Sequence, residues 1–314
     1  MGSVLLKNGL VIDGTGGASF HGHVLMTDGK IGSVYKENDG IPHAEIVMDV
    51  TGCAIAPGFI DMHSHSDWIL PLEDHPQLLK CMPEQGVTTL VAGNCGFSPA
   101  PAGMGEHQDL IGALRPLLHK PFELSWRSMG EFLDTLEKTG PVVNVAQLVG
   151  HATLRNATVG RQRGTMTAHE LERCLKDLRS SLDEGACGFS LGLGYDPGMY
   201  SPIEEIEAFC SATADTGKPV TVHLKALSTL SPTYPITCLR HHNIRAIEEM
   251  IRIARKTGVK LQISHFVFVG RRSWPTGEKG IGLIDAARKR GMDVMIDAFP
   301  YTFGNSTINV IICT

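Results

Sequence analysis

Short apolar runs separated by glycine-containing pairs make up residues 4–56. The runs lie at residues 4–6, 10–12, 24–26 and 31–34. The pairs between them are Asn-Gly at 8–9 and Asp-Gly at 13–14 and 28–29, which supply the positive φ angles of tight hairpin turns. The pattern predicts a small sheet of strand, turn and strand. Such a sheet has little core of its own, so we expect it to pack on another element.

After Pro57 the apolar runs become longer and stand apart from one another. Seven strands are predicted, at residues 59–63, 87–92, 142–149, 186–193, 219–224, 259–266 and 292–299. Most of these runs are apolar almost throughout, rather than alternating with polar residues. Strands of that kind are typical of a parallel sheet that is covered on both faces.

Amphipathic segments separate most of the predicted strands. Two begin with capping boxes, Ser-x-x-Glu at 128–131 and Thr-x-x-Glu at 167–170. A third helix is predicted to open at residues 201–204, and Asn243 is predicted to cap a fourth. Alternation of strands and helices predicts an α/β fold, with a (β/α)8 barrel favoured and a doubly wound sheet as the alternative.

Composition narrows the class of protein. The chain has 314 residues, a net charge of −5 and a pI near 6.3, which argue against a nucleic-acid-binding surface. No apolar stretch is long enough to span a bilayer and there is no signal peptide, so we expect no membrane association. The eight cysteines contain no Cys-x-x-Cys pair. We therefore expect reduced thiols in a cytoplasmic enzyme.

Metal-binding residue types follow the predicted strands. In chain order, the residues at these strand ends are His63, His65, Cys95, His151, His223, His265 and Asp297. The carboxyl ends of parallel barrel strands meet at one rim, where barrel active sites lie. Imidazole and thiolate together favour zinc, with iron and manganese as alternatives. For His151 alone a structural or supporting role is the better interpretation.

Several motifs resemble the N-acyl-D-amino-acid deacylase (D-aminoacylase) family of the amidohydrolase superfamily. They are APGFIDMHSHSD, GVTTLVAGNCGFSPAP, GHATLR, YDPGMYSP, QISHF followed by VGRRSW, and DAFPYT. The resemblance implies a metal-dependent-hydrolase (β/α)8 TIM-like barrel over residues 57–314, with its eighth unit missing. It also implies that residues 1–56 are the N-terminal half of a composite β-sandwich domain.

The resemblance also implies the roles of individual residues. His63 and His65 correspond to ligands of a second, weaker metal position, and Cys95 to the thiolate that binds the tight zinc and can bridge both metals. His223 and His265 correspond to the remaining ligands of the tight zinc. No lysine stands at the end of strand four, where many relatives carry a carboxylated bridging lysine. That absence agrees with a bridging role for Cys95.

The family chemistry is hydrolysis of a linear amide in a small-molecule substrate. The resemblance implies that an N-acyl-D-amino acid is converted to a carboxylate and a D-amino acid by water that zinc activates. The alternatives are a cyclic-amide hydrolase of the hydantoinase or dihydroorotase type and a non-catalytic scaffold. Candidate oxyanion or substrate contacts are His151, Tyr195, Tyr301 and Lys225. The sequence does not indicate the oligomeric state.

The chain departs from the family pattern at three places. Lys225 replaces an arginine two residues after the strand-five histidine, and Val267 replaces a lysine after the strand-six histidine. Lys225, Arg271 or Arg272 would then have to bind a substrate carboxylate. No acidic residue follows Asp297, so the strand-eight aspartate has no counterpart. On this basis we expect a piece of a longer enzyme that binds zinc but is inactive or nearly so.

Overall fold

The computed structural model describes residues 2–102, 124–160, 163–235 and 240–304. The chain divides into two compact units, Met1–Phe59 and Ile60–Thr314. The N-terminal unit is a five-stranded sheet made of β1 (Ser3–Val11), β2 (Phe20–Thr27), β3 (Lys30–Lys36), β4 (Ile46–Asp49) and β5 (Ala54–Ile55). The strand order is β3-β2-β1-β4, with β5 also paired to β1. The first three strands are antiparallel, whereas β4 and β5 run parallel to β1.

Two of the Gly-containing pairs behave differently in this sheet. The Asp28-Gly29 pair forms the predicted tight turn between β2 and β3, with φ angles of 50° and 77°. The hairpin turn predicted at Asn8-Gly9 is wrong, because β1 continues through it with a shift of register. Asn8 has a φ of 64°, and its backbone amide donates to His23 Nδ1 at 2.9 Å. A left-handed asparagine fits a bulge as well as a turn, which is why the sequence misled here.

Seven strands form the sheet of the second unit. They are β6 (Phe59–Asp61), β7 (Val87–Ala92), β8 (Asn144–Gly150), β9 (Gly188–Gly192), β10 (Pro219–His223), β11 (Lys260–Ile263) and β12 (Val294–Ile296). Neighbours in the chain are neighbours in the sheet, which is a curled parallel half-barrel. The predicted α/β barrel architecture is therefore confirmed for these seven strands, and the doubly wound alternative is wrong because a doubly wound sheet reverses its strand order.

The helices of this unit cover the outside of the sheet. Among the described residues they are, in chain order, α1 (His75–Leu78), α2 (Cys81–Glu84), α3 (Met129–Thr139), α4 (His151–Val159), α5 (Ala168–Asp183), α6 (Ile203–Ala214), α7 (His242–Thr257) and α8 (Gly277–Lys289). An apolar core lies between them and the strands; for example, Phe189 of β9 stacks on Phe209 of α6. Within the described ranges no helix combines the length and apolar character needed to cross a bilayer.

Three of the predicted helix starts agree with the structure and one differs. Helix α6 begins at Ile203, within the predicted residues 201–204. Ser128 caps α3, and Thr167 forms a full capping box at α5. The predicted cap at Asn243 is wrong: the cap is His241, α7 starts at His242, and the side-chain amide of Asn243 donates to Thr276 Oγ1 at 2.7 Å. His151 directly follows β8, as expected, and is also the first residue of α4 because β8 passes into this helix without a loop.

Candidate metal centre

Four segments at one edge of the sheet bring five ligand-type side chains together. His63 and His65 follow β6, Cys95 follows β7, His223 is the last residue of β10, and His265 follows β11. Two groups result, one of His63, His65 and Cys95 and one of Cys95, His223 and His265. Within each group the ligand atoms all lie within 4.8 Å of one another. Cys95 belongs to both groups and is thus the common member.

The distances around Cys95 Sγ are short. His63 Nε2 lies 3.3 Å away, His265 Nε2 3.6 Å and His223 Nδ1 3.9 Å. Tetrahedral zinc with ordinary bond lengths would separate nitrogen and sulfur ligands by about 3.6 Å and two nitrogens by about 3.4 Å. His223 Nδ1 and His265 Nε2 are somewhat closer, at 2.8 Å. Each sulfur–nitrogen distance is therefore close to that between two ligand atoms bound to the same zinc ion.

The backbone around Cys95 is held in an unusual conformation. Cys95 has a φ of 57°, in the left-handed region that residues with a side chain seldom occupy. The following residue, Gly96, donates its amide to Ser190 Oγ at 3.0 Å. A Cβ atom at Gly192 would collide with the Cys95 carbonyl, so only glycine allows this approach. The strand β9 therefore forms the support on which the Cys95 segment lies.

His265 is held in a similar way, and the group that holds it is Asp297. The His265 φ of 34° is also left-handed. Asp297 Oδ1 accepts the His265 amide at 2.6 Å, and its Oδ2 accepts Gln262 Nε2 at 2.8 Å. The same carboxylate lies 3.6 Å from His63 Nδ1. Asp297 thus contacts both groups of ligands, a role that its position at a strand end alone did not reveal.

Burial sets the protonation of the ligand-type groups. Desolvation, with repulsion from neighbouring imidazoles, lowers the pKa of His63 to about 3 and that of His65 to about 4. The pKa of His223 falls well below its usual range for the same reasons. Desolvation raises the pKa of the Cys95 thiol to about 12. Neutral imidazoles are ready to bind a metal, and a cation would offset the cost of burying the thiolate.

Three ring nitrogens of these histidines lack a hydrogen-bond partner in the part of the chain that the structure describes. The Nδ1 atoms of His63, His65 and His265 are buried without a hydrogen-bond partner among the described residues. In His63 and His265 this is the ring nitrogen that does not face Cys95, so the indication of a metal comes from the set of donor groups and not from these atoms. Four neutral imidazoles and one buried sulfur have the ligand chemistry of zinc. The residues present therefore fit the metal that the sequence predicted.

The four candidate substrate contacts lie in different places. Tyr195 adjoins the ligands: its hydroxyl donates to the Cys95 carbonyl at 3.2 Å, and its ring centroid is 4.5 Å from that of His223. Lys225 directs its ammonium towards the Tyr234 ring, 5.4 Å from the centroid.

The other two candidates have no described contact with the ligand-type residues. His151 is fully buried, and its Nε2 pairs with Glu205 at 2.8 Å. Tyr301 is 69% exposed, and its described ring contact is with Phe299. Asp67, which follows the histidine pair, is buried and accepts from Gln147 Nε2 at 3.1 Å. That bond connects the loop after the histidine pair to Gln147 of β8.

The comparison with known families decides the broader class. The sequence model of the amidohydrolase family matches residues 46–265, more than two thirds of the chain. The chain belongs to the amidohydrolase family. This membership and the similarities below confirm the resemblance that the motifs indicated.

Relatives with named activities cover nearly the whole chain. It is 32% identical to the N-acyl-D-glutamate deacylase of Alcaligenes xylosoxydans xylosoxydans over 97% of this chain and 58% of that protein. The crystal structure of N-acyl-D-glutamate deacylase from Bordetella bronchiseptica, complexed with zinc and a phosphonate mimic of the tetrahedral intermediate, superposes with a TM-score of 0.82. That pair shares 31% identity over 95% of this chain and 58% of the other. The chain thus spans about three fifths of the length of these relatives.

Cyclic-amide hydrolases are more distant. The L-hydantoinase (dihydropyrimidinase) from Arthrobacter aurescens gives a TM-score of 0.56 at 18% identity, over 96% of this chain and 59% of the other. At that level the similarity concerns the fold alone.

Proposed function

We propose that this protein is a zinc-dependent hydrolase of linear amides, with N-acyl-D-amino acids as the substrate class. The observation that carries the proposal is the meeting of Cys95 with His223 and His265 on one side and with His63 and His65 on the other. The similarity to N-acyl-D-glutamate deacylases supports the choice of a linear amide.

Zinc would be held at two positions. Cys95, His223 and His265 form a three-ligand set for a tight site, which leaves a fourth position for water or substrate. His63 and His65, with Cys95 shared between both groups, form a second and weaker site. Zinc bound at these positions would act as a Lewis acid for the amide carbonyl and would lower the pKa of a bound water towards neutrality.

The residues of this chain supply the positioning. Asp297 orients His265 through the backbone amide and lies beside the His63 ring. The Tyr195 hydroxyl, which now donates to the Cys95 carbonyl, is the polar group of the described candidates that adjoins the ligands. Lys225 is two residues beyond His223, and we assign it as the cation for a substrate carboxylate. Burial lowers its pKa, yet a bound carboxylate would favour its charged form.

The test combines metal content with substrate choice. The purified protein is stripped with a chelator, reloaded with zinc, and assayed against N-acetyl-D-glutamate, its L-isomer and hydantoin. The proposal expects zinc uptake and, among these three compounds, release of product from the D-isomer alone, however slow that release is. Hydrolysis of hydantoin without the linear amide would support the cyclic-amide alternative. Absence of zinc uptake at neutral pH would support a non-catalytic scaffold.

A further inference from the structure

A buried ionic group lies behind the segment that carries Tyr195. It consists of Glu205 near the start of α6 and of Arg155 and His151 in α4, all at most 3% exposed. Glu205 Oε1 lies 2.8 Å from His151 Nε2, and Arg155 contacts both carboxylate oxygens at 2.6 and 2.7 Å. The free energy needed to remove these charged groups from water offsets much of the free energy gained from their ion pair. Stability alone therefore does not explain why the group is buried.

The ionic group contacts the segment at residues 193–201 directly. Ser201 Oγ donates to Glu205 Oε1 at 2.9 Å and so fixes the end of this segment. Further back, Gly198 lies against the His151 ring, where a Cβ atom would be 3.6 Å from Nδ1. Both contacts determine the path of the chain that places Tyr195.

The same helix, α4, also holds the segment that follows Cys95. The amide of Ala152 donates to the Gly96 carbonyl at 2.9 Å. The Thr153 hydroxyl accepts from the Ser98 amide and donates to the Ser98 carbonyl, each at 2.9 Å. His151 and Arg155 of α4 contact Glu205 of α6. A change in these contacts would move α4 and, through its hydrogen bonds to residues 96 and 98, the backbone of Cys95.

These contacts form a closed ring. Tyr195 donates to the Cys95 carbonyl, the Cys95 segment is bound to α4, and α4 is bound through Glu205 to the segment that carries Tyr195. We propose that Glu205 is a positioning residue for the metal centre, which it acts on through Arg155, His151 and Ser201 without touching a ligand. The inference rests on the zinc site proposed above.

The test compares two glutamates of α6. Glu205→Gln keeps the shape of the side chain and removes its charge. Glu207→Gln does the same two residues along the helix, where the carboxylate pairs with Arg252 and Lys256 at the surface. Zinc affinity is measured by competition with a chelator, and the Co²⁺-loaded proteins report ligand geometry through the thiolate charge-transfer band. We expect about a tenfold loss of zinc affinity and an altered Co²⁺ spectrum for Glu205→Gln only.

A second variant keeps the ionic group intact. Ser201→Ala removes the hydrogen bond to Glu205 and leaves Arg155 and His151 paired. We expect about a threefold loss of zinc affinity and a Co²⁺ spectrum changed in the same direction, with a small fall in the unfolding temperature from the lost hydrogen bond. If Glu205→Gln does not fold, this variant decides.

Two negative results have different meanings. Parent-like zinc affinity and Co²⁺ spectra in the folded variants would overturn the positioning role and leave the zinc site standing. Failure of the parent protein to bind zinc would overturn the proposed metal centre and this inference with it.

Discussion

Cys95, His223 and His265 are held from several sides, whereas His63 and His65 follow a three-residue strand. Cys95 lies against β9, and His265 is bound to Asp297. By contrast, β6 contains Phe59 and Ile60, whose exposed fractions are 64% and 59%. The two groups therefore share a sulfur atom but differ in the support that surrounds them. A rigid ligand set loses less entropy on binding a metal. The first group, defined here as Cys95, His223 and His265, should therefore bind zinc more tightly than the second group, which is His63, His65 and Cys95.

Removing the shared sulfur should have the largest effect. Cys95→Ala leaves two imidazoles in the first group, which are too few for a stable zinc site. We expect zinc content measured by elemental analysis to fall from stoichiometric to background. Cys174→Ala is the matched control, because this buried thiol in α5 lies outside both groups. One zinc per chain retained by Cys95→Ala would show that the first group is wrongly assigned.

The second group should be separable from the first. His63→Ala removes one of its two imidazoles and leaves Cys95, His223 and His265 in place. In a zinc titration we expect loss of the weaker binding event, with the tighter one changed less than about threefold. His169→Ala, an exposed histidine of α5, serves as the control. Equal loss of both events would mean that the two groups act as one cooperative unit.

Asp297 contacts residues of both groups, and a substitution there tests whether these contacts affect zinc binding. Asp297→Asn can still accept the His265 amide, but it loses the charge beside His63 and can place a donor against Gln262. We expect zinc affinity to fall about tenfold, as is usual when a carboxylate that supports a ligand is neutralised. Asp293→Asn, at an exposed position just before β12, should bind zinc like the parent. If both variants bind alike, the Asp297 contacts serve the backbone alone.

The pH dependence of zinc uptake should distinguish the groups further. The Cys95 thiol, with a pKa raised to about 12, must lose its proton when zinc binds. Affinity at the first site should therefore rise about tenfold for each pH unit through the neutral range. His63 and His65, with pKa values of about 3 and 4, are already neutral there. Calorimetry in buffers of differing ionisation enthalpy counts the released protons. A pH-independent first site would contradict ligation by Cys95.

The sequence predicted the sheet better than the details of the site. All seven strands were found because each is a nearly continuous apolar run, and the five ligand-type residues were expected to lie together because strand ends meet at one rim. The predicted run at 259–266 nevertheless ends at Ile263, since His265 adopts a left-handed conformation. The hydrogen bond from His265 to Asp297 spans 32 residues, a separation at which local pattern carries no information. The contacts of Glu205 with His151 and Arg155 were missed for the same reason.

The wide spacing of the ligands along the chain has a consequence for folding. Cys95 and His223 are 128 residues apart in sequence, and Cys95 and His265 are 170 apart. An unfolded chain therefore presents no preformed site, and zinc would bind only after the strands have assembled. By mass action, zinc at a hundred times its dissociation constant would stabilise the native state by about 2.7 kcal/mol. A zinc-dependent rise in melting temperature that Cys95→Ala lacks would show that the metal stabilises the native state by binding only to the assembled sheet.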